Sequence, residues 1–343
     1  MEHINVVSFE TKRKKREVTV LSVLAVLIVV TFVISMNTGH IRLAPMELIQ
    51  TLFGNGTAQQ DLILFEFRLP RIVVSVLVGA SLAVSGCIMQ GFSRNALVDP
   101  GILGINAGAG LIVILYVAMF QTETISSVML LPVLAWVGAG ITAAVIYALS
   151  YKRGEGLSPT RLLLTGIAVA ALISAATIVL TLRLSPEKYQ FVATWMAGSI
   201  WASNWKFVIS ILPFIMLLLP FVIYKARVLN VLNLGDQVAL GLGVSVEKER
   251  RLLLAAAVGL AGSAVSVSGG IGFVGLIAPH LMRRLVGPKH QYLIPGAALA
   301  GALLVLMADT IGRWIIQPSE IPAGIVVAVI GAPYFLYLLA RSR

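Results

Sequence analysis

LLLAAAVGLAGSAVSVSGGIGFVGLIAPHLM, Leu252 to Met282, is a run of 31 residues with no Asp, Glu, Lys or Arg. At 1.5 Å per residue one helix of that length measures about 46 Å, too long for a hydrocarbon layer about 30 Å thick, while two full crossings want roughly 40 residues. Its middle, Ser268-Gly269-Gly270-Ile271-Gly272, is where a helix breaks. The run therefore reads as a full crossing followed by a short one, and that split sets the side of everything after it.

Eight further stretches free of acidic and basic residues surround it: Val18 to Met36, Ile72 to Ser93, Pro100 to Thr122, Thr124 to Tyr151, Leu162 to Leu182, Phe207 to Tyr224, His290 to Ala308 and Ile321 to Ala340. With the run split and the N-terminus cytoplasmic, 19 basic residues fall inside (Lys12 to Arg16, Arg94, Lys152, Arg153, Arg161, Lys225, Arg227, Lys248, Arg250, Arg251, Arg283, Arg284, Lys289, Arg341, Arg343) and 7 outside. Unsplit, the count is 15 to 11. The positive-inside rule selects the split, and with it ten crossings and both termini in the cytoplasm. The short crossing implies irregular backbone buried in protein. Residues 1–17 read as a basic cytoplasmic N-terminus and 18–343 as one transmembrane domain; Lys12 to Arg16 do not read as a secretory signal, because the apolar run is long and no small-x-small site follows.

Composition agrees. Of the 343 residues 58% are hydrophobic and 12% charged, half the share of a soluble domain. The mean hydropathy of +0.93 leaves too little polar surface to face water. The net charge of +11 lies between the apolar runs, a topology signal rather than a nucleic-acid face. The lone Cys87 excludes intramolecular disulfides and thiolate clusters. No Gly-x-x-x-x-Gly-Lys-Ser/Thr loop occurs, so ATP is not bound here in the P-loop manner. The only carboxylate close to a crossing that could bind a coupling ion is Asp309, so the driving energy is expected from another protein.

Three outer arginines stand against the charge bias: Arg68 and Arg71, three apart around Pro70, and Arg313, four after Asp309. Such residues either snorkel or pair with Glu66 and Asp309, or they meet an acidic patch on an extracytoplasmic protein. Trp195, Trp201 and Trp205 in the outer loop read as an interfacial belt. Inside, Leu229 to Val244 is too short and too rich in glycine to span. Leu234, Val238, Leu240 and Val244 would form an apolar face, either packed under the bundle or offered to a soluble partner. His280, with no second ligand at helical spacing, reads as a hydrogen-bonded helix-end residue and not a metal ligand.

From about Leu43 to the C-terminus the chain resembles the FecCD family, the permease subunits of iron-siderophore and vitamin B12 ATP-binding cassette importers. The resemblance is carried by Arg68-Leu69-Pro70-Arg71, Gly79 to Gly86 with Gln90, Arg94-Asn95, Asp99-Pro100 and Leu103-Gly104. It continues in Trp195 with Gly198-Ser199, Leu234-Gly235-Asp236, Gly272 to His280 with Arg283, Ala308-Asp309 with Arg313, Glu320 to Gly324, and Gly331-Ala332-Pro333. Ala96, where a proline usually follows the Asn, and Val98, where a small residue is usual, depart from the pattern and imply a less rigid inner turn.

The resemblance implies an all-α permease of ten helices, paired with a second permease subunit, identical or paralogous, above an ATPase dimer and below an extracytoplasmic binding protein. Arg68, Arg71 and Arg313 then correspond to binding-protein docking positions. Leu234, Gly235, Asp236, Ala239, Leu240 and Gly241 fall in the ATPase coupling segment, near 229–249. Ser158 and Thr160 fall at the cytoplasmic gate. The implied substrate is a ferric siderophore, with a corrinoid or haem as the alternative and a secondary transporter as the rival class. Neither a catalytic residue nor a metal or cofactor site of its own is expected.

Overall fold

The computed structural model describes residues 2–38, 45–120, 125–153, 156–201, 203–316 and 319–341. Along the chain, α1 (Glu2–Asn37) and the short α2 (Pro45–Leu52) precede α3 (Ala58–Asp61), which runs through a π-helical stretch, Leu62–Arg68, into α4 (Leu69–Ser93). A 3₁₀ turn at Pro100–Leu103 leads into α5 (Ile105–Met119), followed by α6 (Ile125–Ser150), a hairpin of β1 (Tyr151–Lys152) and β2 (Gly156–Leu157), and α7 (Pro159–Thr181). Then come α8 (Pro186–Met196), α9 (Trp205–Tyr224), α10 (Ala226–Asn233) and α11 (Asp236–Gly241). The chain closes with α12 (Val246–Ser268), α13 (Val274–Val286), α14 (His290–Ile315) and α15 (Ala323–Arg341).

Ten of these helices account for the expected crossings: α1, α4, α5, α6, α7, α9, α12, α13, α14 and α15. Seven contain stretches long and apolar enough to cross a bilayer unaided, and α5 and α15 are shorter apolar helices. The remaining one is α13, whose 13 residues rise only about 20 Å. The long run of Leu252 to Met282 thus divides as its glycines predict. Gly269 ends α12 at φ 65°, and a Cβ there would lie 1.9 Å from the Trp195 carbonyl oxygen, so neither the backbone conformation nor the space admits another residue.

The helices sort by burial. In α4, α12 and α14 about two thirds or more of the spanning stretch is buried, against 11–17% in α1, α7 and α9. Lipid is as apolar as leucine, so the inner trio is selected by close packing rather than by hydrophobicity. Gly86 on α4 meets Gly275 on α13, where a Cβ would sit 1.9 Å from the Gly275 oxygen; backbone lies on backbone there, and any side chain would force the helices apart. The turn after α4, where a proline is absent, is held instead by its own side chain: Asn95 Oδ1 accepts from the Leu97 amide at 3.0 Å, and Arg94 caps the helix in the left-handed region at φ 55°.

Candidate functional site

On the outer side, Pro70, which has no amide hydrogen to donate, stands in the first turn of α4 with Arg71, and Arg68 is the residue that caps that turn. Asp309 and Arg313, one turn apart on α14, face them. Arg71 donates from Nε and Nη2 to Asp309 Oδ1 at 2.9 and 2.8 Å and from Nη1 to Glu320 Oε2 at 2.8 Å. Arg313 Nε lies 3.1 Å from Asp309 Oδ2, and its Nη1 donates to the Thr38 carbonyl at 2.9 Å while Nη2 reaches Ser35 Oγ. Arg68 donates to the Met36 carbonyl. The layer therefore ties the end of α1 to α4 and α14, with Arg68 and Arg313 buried and Arg71 reaching an open cleft. That cleft, about 340 Å³, is lined by Arg71, Thr194, Ser199, Trp201 and Glu320 among others. Pairing with Asp309 was one of the two alternatives that the sequence spacing left open. That spacing missed Glu320 and Ser35, whose partners are distant in the chain.

Of the three expected belt tryptophans, Trp195 packs half-buried against the core, and its carbonyl receives Gly269. Trp201 and Trp205 are exposed, and Trp205 donates from Nε1 to the Phe65 carbonyl at 2.8 Å. The expectation for His280 is corrected. It lies within α13, its ring edge-on to Tyr334 at 6.1 Å, and neither ring nitrogen has a hydrogen-bond partner among the described residues. Among the described residues no group of three or more His, Cys, Asp or Glu side chains is placed to hold a metal ion.

The inner side is built differently. Gly235 at φ 114° turns the chain sharply between α10 and α11, and Asp236 opens α11. Ala239 is buried, while Leu234, Val238, Leu240 and Leu242 stand exposed. The expected apolar face exists, with one change: Val244 turns inward, its amide donating to the Ala239 carbonyl at 2.9 Å, and Leu242 takes its place. A Cβ on Gly241 would meet nothing within 4 Å. Of the two residues expected at the gate, Ser158 caps α7 without using its side chain, and Thr160, the second residue of α7, is exposed. Close by, Glu247 accepts from the Tyr151 hydroxyl and pushes that phenol above its ordinary range. Lys225 Nζ binds Glu249 Oε1 at 2.7 Å, and Arg250 binds Asp236; sequence reasoning counted both basic residues only as topology signals.

An outer layer closed by its own ion pairs and an inner ledge of uncovered leucines, on a bundle of membrane-crossing helices, describe a polytopic membrane subunit. The FecCD transport family matches residues 27–341, and the chain belongs to that family: it is a multi-pass permease of a bacterial ABC importer, a transport protein and not an enzyme. It is 50% identical over 338 residues to the iron(3+)-hydroxamate import system permease protein FhuG of Bacillus subtilis, covering 97% of this chain and 100% of that one. To the hemin transport system permease protein HmuU of Yersinia pestis it is 42% identical over 329 residues, 94% of this chain and 96% of that one. Its fold is similar to that of a metal-chelate type ABC transporter in an inward-facing conformation, at TM-score 0.81 and 32% identity over 95% of this chain and 99% of that one.

Proposed function

We propose that this permease moves a ferric siderophore of the hydroxamate class across the cytoplasmic membrane. The observation that carries the reading is the full-length, 50% identity to a ferric-hydroxamate permease. The test is radiolabelled iron uptake in cells lacking their own hydroxamate permease. Restored uptake of ferric hydroxamate, outcompeted by excess cold hydroxamate and not by haem, is expected; uptake of haem alone would shift the substrate to the second reading, haem, which the 42% identity to a hemin permease supports. A corrinoid would show in the same competition.

On this reading the permease pairs with a second permease subunit above two ATPase subunits, and the loaded binding protein docks outside. Arg71 offers an acidic partner a charged position in the outer cleft beside Glu320, with Arg68 and Arg313 backing it. Leu234, Gly235, Asp236, Ala239, Leu240 and Gly241 form the ledge that seats in the ATPase, supported by the exposed Leu234, Val238 and Leu240 on helices too short to be membrane-embedded. Ser158 and Thr160, at the inner mouth of α7, act at the cytoplasmic gate. ATP binding closes the ATPase dimer, the ledge follows, and the bundle changes between its two states.

A further inference from the structure

Arg250 sits near the start of α12 and is buried. Its guanidinium grips both oxygens of Asp236, Nη2 to Oδ1 at 2.6 Å and Nη1 to Oδ2 at 3.0 Å, and Nη1 also donates to the Leu157 carbonyl at 3.3 Å. Asp236 Oδ1 accepts a further bond from Arg94 Nη2 at 3.1 Å. One carboxylate and one guanidinium thereby bind four pieces of chain: the turn that ends α4, the first residue of α11, the hairpin strand β2 and α12. Leu157 immediately precedes Ser158, the cap of α7. Between hairpin and α11 lies a cleft of about 300 Å³ whose lining includes Tyr151, Leu157, Asp236, Leu240, Glu247 and Arg250, and across it Arg250 joins Asp236 to the Leu157 carbonyl.

We propose that Arg250 is a positioning residue that yokes the ATPase-facing ledge to the gate hairpin, so that displacement of α11 is passed to the start of α7. The inference rests on the reading of 234–241 as the coupling segment and of Ser158 and Thr160 as gate residues. A planar fork suits this role, because it holds both carboxylate oxygens in a fixed orientation and keeps a donor for the carbonyl. Lysine at 250 keeps the charge that neutralises Asp236, but a single ammonium cannot reproduce the fork. A residue needed only for folding would lower the amount of assembled importer and leave its transport per ATP unchanged; loss of a yoke lowers that ratio.

The test uses the complete importer, with its ATPase and binding protein, in proteoliposomes. Arg250→Lys should lower the number of substrate molecules moved per ATP hydrolysed by about tenfold, the equivalent of one charge-assisted hydrogen bond. An unchanged ratio overturns the proposal. A second measurement does not depend on that variant assembling: spin labels on Arg153→Cys, in the hairpin turn, and Gln237→Cys, on the exposed face of α11, in the Arg250 protein. Their separation should stay constant through the nucleotide cycle while each moves relative to a label on α9; a changing separation overturns the yoke. Gly241→Asp separates this failure from failure of the coupling reading. If it leaves substrate-stimulated ATP hydrolysis intact, the ledge is misassigned; if it abolishes stimulation while Arg250→Lys transports at the wild-type ratio, only the yoke is wrong.

Discussion

The outer arginine layer and the inner ledge, the two surfaces we propose for meeting partners, are made in opposite ways. Outside, the charged groups are turned upon one another: Arg71 and Arg313 share Asp309, which is 1% exposed, and Arg68 and Arg313 bind carbonyl groups at the end of α1. Inside, the polar groups anchor the ledge from behind, while Leu234, Leu240 and Leu242 remain more than 60% exposed. The outer layer is part of what holds the bundle together; the ledge is a surface held in place by the bundle. Substitutions outside should therefore damage stability and transport together, and substitutions on the ledge should damage transport alone.

The sharpest way to break that contrast is Asp309→Ala. It removes the carboxylate that Arg71 and Arg313 share, and a buried charge deprived of such a partner costs about 3–5 kcal/mol. Thermal unfolding in detergent should show a large loss of stability, with little protein recovered from membranes. A stable Asp309→Ala protein defective only in uptake would mean that the layer is a docking surface and not a brace. Next is Gly241→Asp, placed where an added Cβ meets nothing within 4 Å among the described residues. Its unfolding midpoint should match the wild type, while a charge pushed into a partner's cleft should cost about 2–5 kcal/mol of association, measurable as lost co-purification of the ATPase.

The same contrast governs what was legible in the sequence. Crossings were readable because each charged residue reports its own side of the membrane, and the split after Ser268 was readable because Gly269-Gly270 and the length of the run make one local argument. The apolar ledge followed from helical spacing, although Val244 shows the limit: whether a residue beyond a helix end turns inward depends on a backbone bond to Ala239 that no periodicity encodes. The outer site was legible only as residues. Arg71 meets Glu320 across 249 positions and Arg313 meets Ser35 across 278, pairings set by the packing of α1, α4 and α14. Arg250 escaped notice because a basic residue at an inner helix start already has an explanation in topology.

Smaller effects sharpen the comparison from each side. Leu240→Ala removes exposed apolar surface and should leave the free permease within about 0.5 kcal/mol of wild-type stability. If the ledge seats in an ATPase cleft, the same change should weaken association about tenfold, read from titration of ATPase stimulation. On the outer side the matching small change is Glu320→Gln. Glu320 is 36% exposed and its bond to Arg71 is screened by water, so its loss should cost at most about 1 kcal/mol, with Asp309 still holding the guanidinium. Removing Glu320's charge also leaves Arg71 a stronger lure for an acidic partner in the cleft. Binding-protein affinity, measured on the reconstituted importer at low salt, should therefore stay level or rise with Glu320→Gln. A clear fall would mean that Glu320 itself meets the partner and that the outer cleft presents a negative group, reversing the charge assigned to that docking site.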